Sequence, residues 1–278
     1  MTLSDNHVHT CFSTDSSTSM ESQLQRARAV GLSSLCFTDH IDFEFPEAGQ
    51  FLFDAEEYFA ATGELQKKYS DFPLRTGVEL GLKKEVLPQC LSLTASHPFD
   101  FVIGSTHLVD NMDIYYQEYW NGYGETDGIA HYYETTLNNI ETGFDFDVYG
   151  HLDYVIRYCP SVRAARQENV MKEDFPHTYF RKNRDVIAEI LRLLIEQGRG
   201  IELNTAGFKY GLGHPNPHEE ILSLYRDLGG EILSIGSDAH EENHLAYDFD
   251  RVPKILAECG FSHYTEFQRR KPVPIKIA

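Results

Sequence analysis

The sequence predicts an α/β protein: a single parallel barrel of seven βα units spanning residues 1–278. Three observations carry that reading. Apolar runs of strand length alternate with longer segments of helical period, the signature of parallel βα units. A length of 278 residues suits one α/β barrel folded as one domain. Histidine, aspartate and glutamate recur at nearly every strand end, which favours a closed barrel with one functional rim over an open sheet.

The elements follow in order. A first strand over residues 3–8 leads to a helix over 19–30, ended by Gly31. Strand two covers 34–38. The next helix, 54–69, opens on Asp54-Ala55-Glu56-Glu57, which resembles a capping box. Strand three (74–80), a helix (83–95) and strand four (101–104) come next. A long loop over 108–127, rich in tyrosine, precedes a helix over 128–142 and strand five over 146–150. The longest helical stretch, 175–197, is stopped by Gly198 and followed by strand six, 200–203. A helix starts near Pro217, a residue suited to a first turn. Strand seven (231–235), a helix (252–259) and a tail (261–270) that adds a short strand complete the chain.

Composition narrows the function. Hydrophobic residues at 41% and charged residues at 24% are ordinary globular usage. No run approaches 18 apolar residues, so no membrane span is expected. The opening Met1-Thr2-Leu3-Ser4-Asp5 has neither a basic nor an apolar signal region, so no signal peptide is expected. Five scattered cysteines without a C-x-x-C pair suit a reducing compartment, with the cytoplasm as default, and argue against a thiolate zinc site. A net charge of −19 disfavours a nucleic-acid partner, which needs a basic stripe. It is compatible with carboxylates that hold divalent cations.

The chemistry lies at the strand ends. Strand one ends in His7-Val8-His9, whose two imidazoles share a face because residues i and i+2 of a strand do. Thr38-Asp39-His40, Gly77-Val78-Glu79, Ser105-Thr106-His107, Gly150-His151 and Ser237-Asp238-Ala239-His240 repeat the pattern. Any one of these could be a helix cap or a satisfied core group, and Asp39 reads as capping or orienting the next helix. Six together on one rim point to a metal site, because clustered His and carboxylate groups are what a borderline cation takes. The other histidines, His97, His131, His177, His214, His218, His244 and His263, fall on helices or loops and read as surface or core-satisfied groups. His244, four residues beyond His240, is the one placed to join the site.

These residues, with Asp15, resemble the polymerase and histidinol phosphatase (PHP) family, in order from Asp5 to His240. Ser105-Thr106-His107-Leu108-Val109-Asp110 and Glu202-Leu203-Asn204-Thr205 are most similar to the stand-alone L-histidinol-phosphate phosphatases. The resemblance implies a distorted (β/α)7 TIM-like barrel and three divalent metal ions, zinc, manganese or iron. It places one ion on His7, His9, Glu79 and Asp238, and a second on bridging Glu79, His107 and His151. A third falls on Asp15, His40 and His240, where many relatives carry a histidine in place of Asp15. The implied reaction is hydrolysis of L-histidinol phosphate to L-histidinol and phosphate by a metal-bridging hydroxide. The alternatives are another small phosphomonoester or a nucleotide as substrate, or a metal-binding barrel without catalysis. An exonuclease is disfavoured by the absence of a basic groove.

Six imidazoles and three carboxylates around three divalent ions leave a charge of about +3, suited to a phosphate dianion. Arg157 and Lys209 match positions where relatives carry phosphate-binding basic residues, Arg157 as the catalytic one. Asp42 and Glu44, just past His40, are candidates for the cationic amine or imidazole of histidinol. The loop over 108–127, with Tyr115, Tyr116, Tyr119, Trp120 and Tyr123, is expected to help close over the organic part of the substrate.

Overall fold

The computed structural model describes residues 3–168 and 174–277. Ser19 caps α1 (Met20–Ala29) by accepting the Ser22 amide, after β1 (Asp5–Val8) and before β2 (Leu35–Phe37). A two-residue strand, β3 (His40–Ile41), precedes α2 (Ala55–Lys68). Asp54 caps α2 by accepting the Glu57 amide. Glu56 and Glu57 lie in its first turn and Lys67 and Lys68 in its last, each on the side the helix dipole favours. β4 (Leu74–Gly81), α3 (Leu87–Ser96) and β5 (Phe101–Ser105) follow.

The expected tyrosine-rich loop is instead structured. It holds a ribbon of β6 (Leu108–Val109) and β7 (Met112–Asp113), then α4 (Gln117–Tyr123), and α5 (Glu125–Glu141) begins directly after Gly124. Tyr119 and Trp120 are buried in the core; Tyr115 and Tyr116 are exposed. The apolar side of this segment packs inward, which its tyrosine content concealed.

β8 (Val148–Tyr149) is shorter than expected, and α6 (Pro160–Gln167) and α7 (Asp174–Glu196) precede β9 (Gly200–Asn204). A four-residue turn of helix, α8 (Ala206–Lys209), comes before α9 (Glu219–Asp227). Pro217 lies ahead of α9 rather than in its first turn, since His218 is the capping residue and accepts the Glu220 amide. β10 (Leu233–Gly236) and α10 (Val252–Glu258) lead to a tail that is a hairpin of two strands, β11 (His263–Gln268) and β12 (Lys271–Lys276), rather than one.

Seven parallel strands run in the order β1-β2-β4-β5-β8-β9-β10, with β3 also paired to β4. A bridge between Val8 and Ala239 closes the ring, with the His9 amide donating to the Ala239 carbonyl (2.9 Å) and the Asp238 amide to His7 (2.9 Å). This is a distorted (β/α)7 barrel. It is buried on both faces, as parallel strands require, and β4 has seven of its eight residues buried. No helix among the described residues is long and apolar enough to cross a membrane.

The hairpin plugs the lower, N-terminal end of the barrel. Phe267 stacks on Phe101 (centroids 4.9 Å apart) and packs with Cys36, Ile103 and Val148 in a separate apolar cluster inside the ring. Arg75 reaches down to Glu266, to Ser34 Oγ (2.7 Å) and to Asn6 Oδ1 (3.1 Å). Arg270 pairs with Asp145 and Asp147. The plug leaves the polar residues at the upper strand ends as the barrel's functional side. Phe267→Ala should cost about 3–5 kcal/mol by emptying the plug. Thermal unfolding should show it, with bound metal per folded chain unchanged.

Candidate metal centre

The six strand ends converge. Glu79, fully buried near the end of β4, is the common point. Its Oε2 faces His7 Nε2 (3.0 Å), His40 Nδ1 (3.2 Å) and His9 Nε2 (3.4 Å). Its Oε1 faces His151 Nε2 (2.9 Å) and His107 Nε2 (3.3 Å) and accepts the Ser105 hydroxyl (2.6 Å). One carboxylate thus turns each oxygen to a different set of imidazoles. Asp238 Oδ1 lies 3.4 Å from His9 Nε2 and 3.6 Å from His240 Nδ1. Asp15, whose side chain is 44% exposed, sits at the rim with Oδ2 3.0 Å from His240 Nε2 and 3.9 Å from His40 Nε2.

The donor set fits divalent cations. His7, His9 and Asp238 offer ligand atoms within 4.8 Å of one another, as do His7, Glu79 and His151, then His9, His40 and His240, then His40, Asp42 and His107. His9 Nε2 and His40 Nδ1 are buried and make no well-aligned hydrogen bond, though both point at carboxylate oxygens. A buried polar atom left so is costly unless something else occupies the space between.

The electrostatics are divided in the same way. Burial pushes the His9 imidazole well below its ordinary pKa, and neighbouring His240 and His40 push it further. Burial works in the same direction on His7, but Glu202 and Glu79 override it and hold His7 well above its usual range. Asp42 and Glu79 do the same for His107. Glu79 is held well below the usual carboxylate range, against burial, by His7, His40 and His107; His9, His7 and Arg157 hold Asp238 down likewise. The buried carboxylates Glu79 and Asp238 are thus held ionised, which suits the layer to bound cations.

The groups that orient the imidazoles come from elsewhere. Glu202 on β9 places Oε1 2.7 Å from His7 Nδ1, and its Oε2 accepts the His151 amide (3.1 Å) and Asn204 Nδ2 (3.0 Å). A carboxylate on the far nitrogen of a metal-binding imidazole fixes its tautomer and raises its basicity. Asp42 is in the same position: its Oδ1 lies 2.8 Å from His107 Nδ1, and the residue is buried. The structure seats Asp42 Oδ1 behind His107, while Oδ2 makes no hydrogen bond and the residue lines the adjoining cleft. Glu44 lines neither of the two clefts that open over the layer, and its Oε1 accepts from Gln89 Nε2 (3.3 Å). Asp39 braces the loop after β1 rather than the next helix, accepting the Thr10 amide (2.6 Å), the Thr10 hydroxyl (2.8 Å) and the Ser13 hydroxyl (2.7 Å). Ser13 Oγ in turn lies 3.1 Å from His9 Nδ1.

The backbone is also committed. Asp238 (φ 53°) and His151 (φ 23°) are both in the left-handed region that non-glycine residues avoid, at a cost of about 1–3 kcal/mol each. Gly236 must be glycine, since a Cβ there would lie 2.3 Å from both Glu202 Oε1 and the His7 Cβ.

Two clefts open over the layer. One, of about 330 Å³, is lined by Asp15, His40, His107, His151, Asp238, His240, Arg157, Lys209 and His244, among others. The adjoining one, of about 280 Å³, is walled by Phe45, Phe51, Tyr115, Tyr116, Tyr154 and Tyr158. Arg157 is buried, with Nη1 on Asp238 Oδ2 (3.2 Å) and its guanidinium over the rings of Tyr154 and Tyr210. Lys209 Nζ donates to the Asp238 carbonyl (3.2 Å), and burial lowers its pKa. Of the remaining histidines, His244 does reach the cleft; His214 and His218 are buried and line neither cleft. The side chain of His177 lies outside the described ones.

Residues 5–206 match the PHP domain family. The chain belongs to that family. It is 32% identical to a probable histidinol-phosphatase of Thermotoga maritima over 98% of this chain and 99% of that protein. It is 28% identical to the histidinol-phosphatase of Lactococcus lactis subsp. lactis, over 96% of this chain and 95% of that one. Its fold superposes with a TM-score of 0.86, at 27% identity and 98% coverage of both chains, on a crystal structure of histidinol phosphate phosphatase from Lactococcus lactis subsp. lactis complexed with zinc, L-histidinol and phosphate. Glu202 and Asp42 were the members that sequence reasoning did not assign to the metal layer. A glutamate between Ile201 and Leu203 in the middle of β9 is the signal that points to the first.

Glu202→Gln should therefore weaken metal binding by about 10–100-fold while the barrel stays folded, as competition with a chelator and circular dichroism would report.

Proposed function

We propose that this protein is a metal-dependent phosphoric monoester hydrolase that converts L-histidinol phosphate to L-histidinol and inorganic phosphate. The single observation that carries the reading is Glu79, with one oxygen toward His7 and His9 and the other toward His107 and His151. It is supported by full-length similarity to histidinol-phosphatases and to a structure that holds zinc, L-histidinol and phosphate.

In this reading three divalent ions bind, one to His7, His9, Glu79 and Asp238, one to Glu79, His107 and His151, and one to Asp15, His40 and His240. Zinc is favoured because the donors are imidazoles and carboxylates and because the Lactococcus structure holds it. Asp15 is the exposed member, so the third ion is the most readily lost. Bound divalent ions supply positive charge for the phosphoryl oxygens and lower the pKa of water to near neutrality.

The chain's own residues do the rest. Arg157 presents a guanidinium, fixed between two tyrosine rings, to a phosphate in the cleft, and its planar fork suits two phosphate oxygens. Lys209 adds a compact charge at the same wall. Glu202 and Asp42 hold the His7 and His107 rings in the orientation that leaves Nε2 toward Glu79. The adjoining cleft combines aromatic walls with Asp42 and Asp113, a lining suited to the imidazole and amine of the substrate.

The test compares phosphate release from L-histidinol phosphate, p-nitrophenyl phosphate and a nucleoside monophosphate by the zinc-loaded protein. A kcat/KM for histidinol phosphate at least about 100-fold above the other two is expected, as a site that pairs with the substrate's polar groups should give. Equal values would overturn the substrate assignment. Glu79→Gln should abolish turnover and lower bound metal together; retained turnover would refute the bridging role.

A further inference from the structure

The Arg157 guanidinium is held from behind by a chain of polar groups that ends at an aspartate outside the metal layer. Arg157 Nη2 donates to Asn216 Oδ1 (3.1 Å), and the Asn216 amide nitrogen donates to Asp153 Oδ1. Asp153 Oδ2 accepts the His218 amide (2.9 Å), the first residue of the cap of α9. Arg157, Asn216 and Asp153 are all at most 2% exposed. The Asn216 backbone is locked too, since it exchanges both hydrogen bonds with Asn204 (2.8 and 2.7 Å) at the end of β9.

The chemistry leaves this amide one orientation. A guanidinium can only donate and a carboxylate with a donor on each oxygen can only accept, so Asn216 must turn its oxygen to Arg157 and its nitrogen to Asp153. The chain therefore has a direction. With Nη1 held by Asp238 and Nη2 by Asn216, and with Tyr154 and Tyr210 on either side, the guanidinium has no freedom to swing. Were Asp153 unable to accept, the amide could turn over and set its NH2 against Arg157.

We propose that Asp153 and Asn216 are positioning residues that aim Arg157 at the substrate phosphate, acting through Arg157 and on neither the metals nor the organic part of the substrate. The proposal rests on the reading of Arg157 as the phosphate-gripping residue. Asp153 and Asn216 do not line either cleft, so an effect of changing them on phosphate binding that leaves bound zinc unchanged passes through Arg157.

The experiment measures competitive inhibition by inorganic phosphate, KM and kcat separately, bound zinc and thermal midpoint for the zinc-loaded enzyme. The variants are Asp153→Asn, Asn216→Leu, Arg157→Lys and the double variant Asp153→Asn with Arg157→Lys. Asp153→Glu serves as the conservative change. The expected result is a phosphate inhibition constant raised about tenfold in Asp153→Asn and in Asn216→Leu, the loss of roughly one well-placed charged hydrogen bond. KM should rise with it, zinc per chain should stay at the wild-type value, and Asp153→Glu should recover part of the affinity. Adding Asp153→Asn to Arg157→Lys should weaken phosphate binding no further, because the two act as one unit. An unchanged inhibition constant in both Asp153→Asn and Asn216→Leu would overturn the relay while leaving Arg157 in place, and a loss that tracks loss of zinc would overturn it as well. An unchanged constant in Arg157→Lys would instead overturn the Arg157 reading on which the relay depends.

Discussion

The structure depends on one buried carboxylate. Glu79 sits fully inside a seven-stranded barrel, where an isolated negative charge would be prohibitively costly. Five imidazoles answer it, three on one oxygen and two on the other. Those imidazoles in turn are set by carboxylates on their far sides, Glu202 behind His7 and Asp42 behind His107. The arrangement sets its charges jointly, holding Glu79 and Asp238 ionised and His9 neutral. It is a lattice of acceptors and ring nitrogens whose balance calls for cations, and the full-length similarity to histidinol-phosphatases makes phosphate ester hydrolysis the use of that charge.

The barrel makes such a layer possible by keeping its two ends chemically apart. The β11–β12 hairpin closes the bottom with Phe267 and Phe101, and its own charged groups are consumed by Arg75, Asp145 and Asp147. The upper ends are then free to hold polar side chains. Closure between β1 and β10 brings the first and last ligand groups together, because the bridge from Val8 to Ala239 lies between His7 and His9 on one strand and Asp238 and His240 on the other. The left-handed backbone at Asp238 and His151 is strain held in place by that same packing.

Most of this was legible along the chain. Seven strands could be read as apolar runs of the right length, and their polar last residues marked the rim without reference to any structure. Eight of the nine metal-ligand candidates fall in clusters whose ligand atoms lie within 4.8 Å of one another, and Asp15 stands at the exposed rim beside His240. The rest depended on three-dimensional pairing. Asp42 lies two residues past a ligand histidine, and its spacing gives no sign that β3 beside β4 also delivers it to the back of His107. Glu202 lies 195 residues from the His7 it supports, a distance no local pattern spans. The segment over 108–127 reads as a lid because it is long and rich in tyrosine, yet Tyr119 and Trp120 are core. A strand reading could place the tail but not its hairpin, since Pro272 and Pro274 in β12 disguise an edge strand.

The central claim is that this layer is a multinuclear metal centre rather than a buried polar network. Its most direct test is the zinc content of the folded, dialysed protein by plasma mass spectrometry, read alongside its thermal midpoint before and after chelation. The account predicts close to three zinc ions per chain. One should leave first on dialysis, from the exposed Asp15 side, and full removal should lower the midpoint as the buried carboxylates lose their compensating charge. A protein that carries no zinc above background, with a midpoint indifferent to chelator, would contradict it.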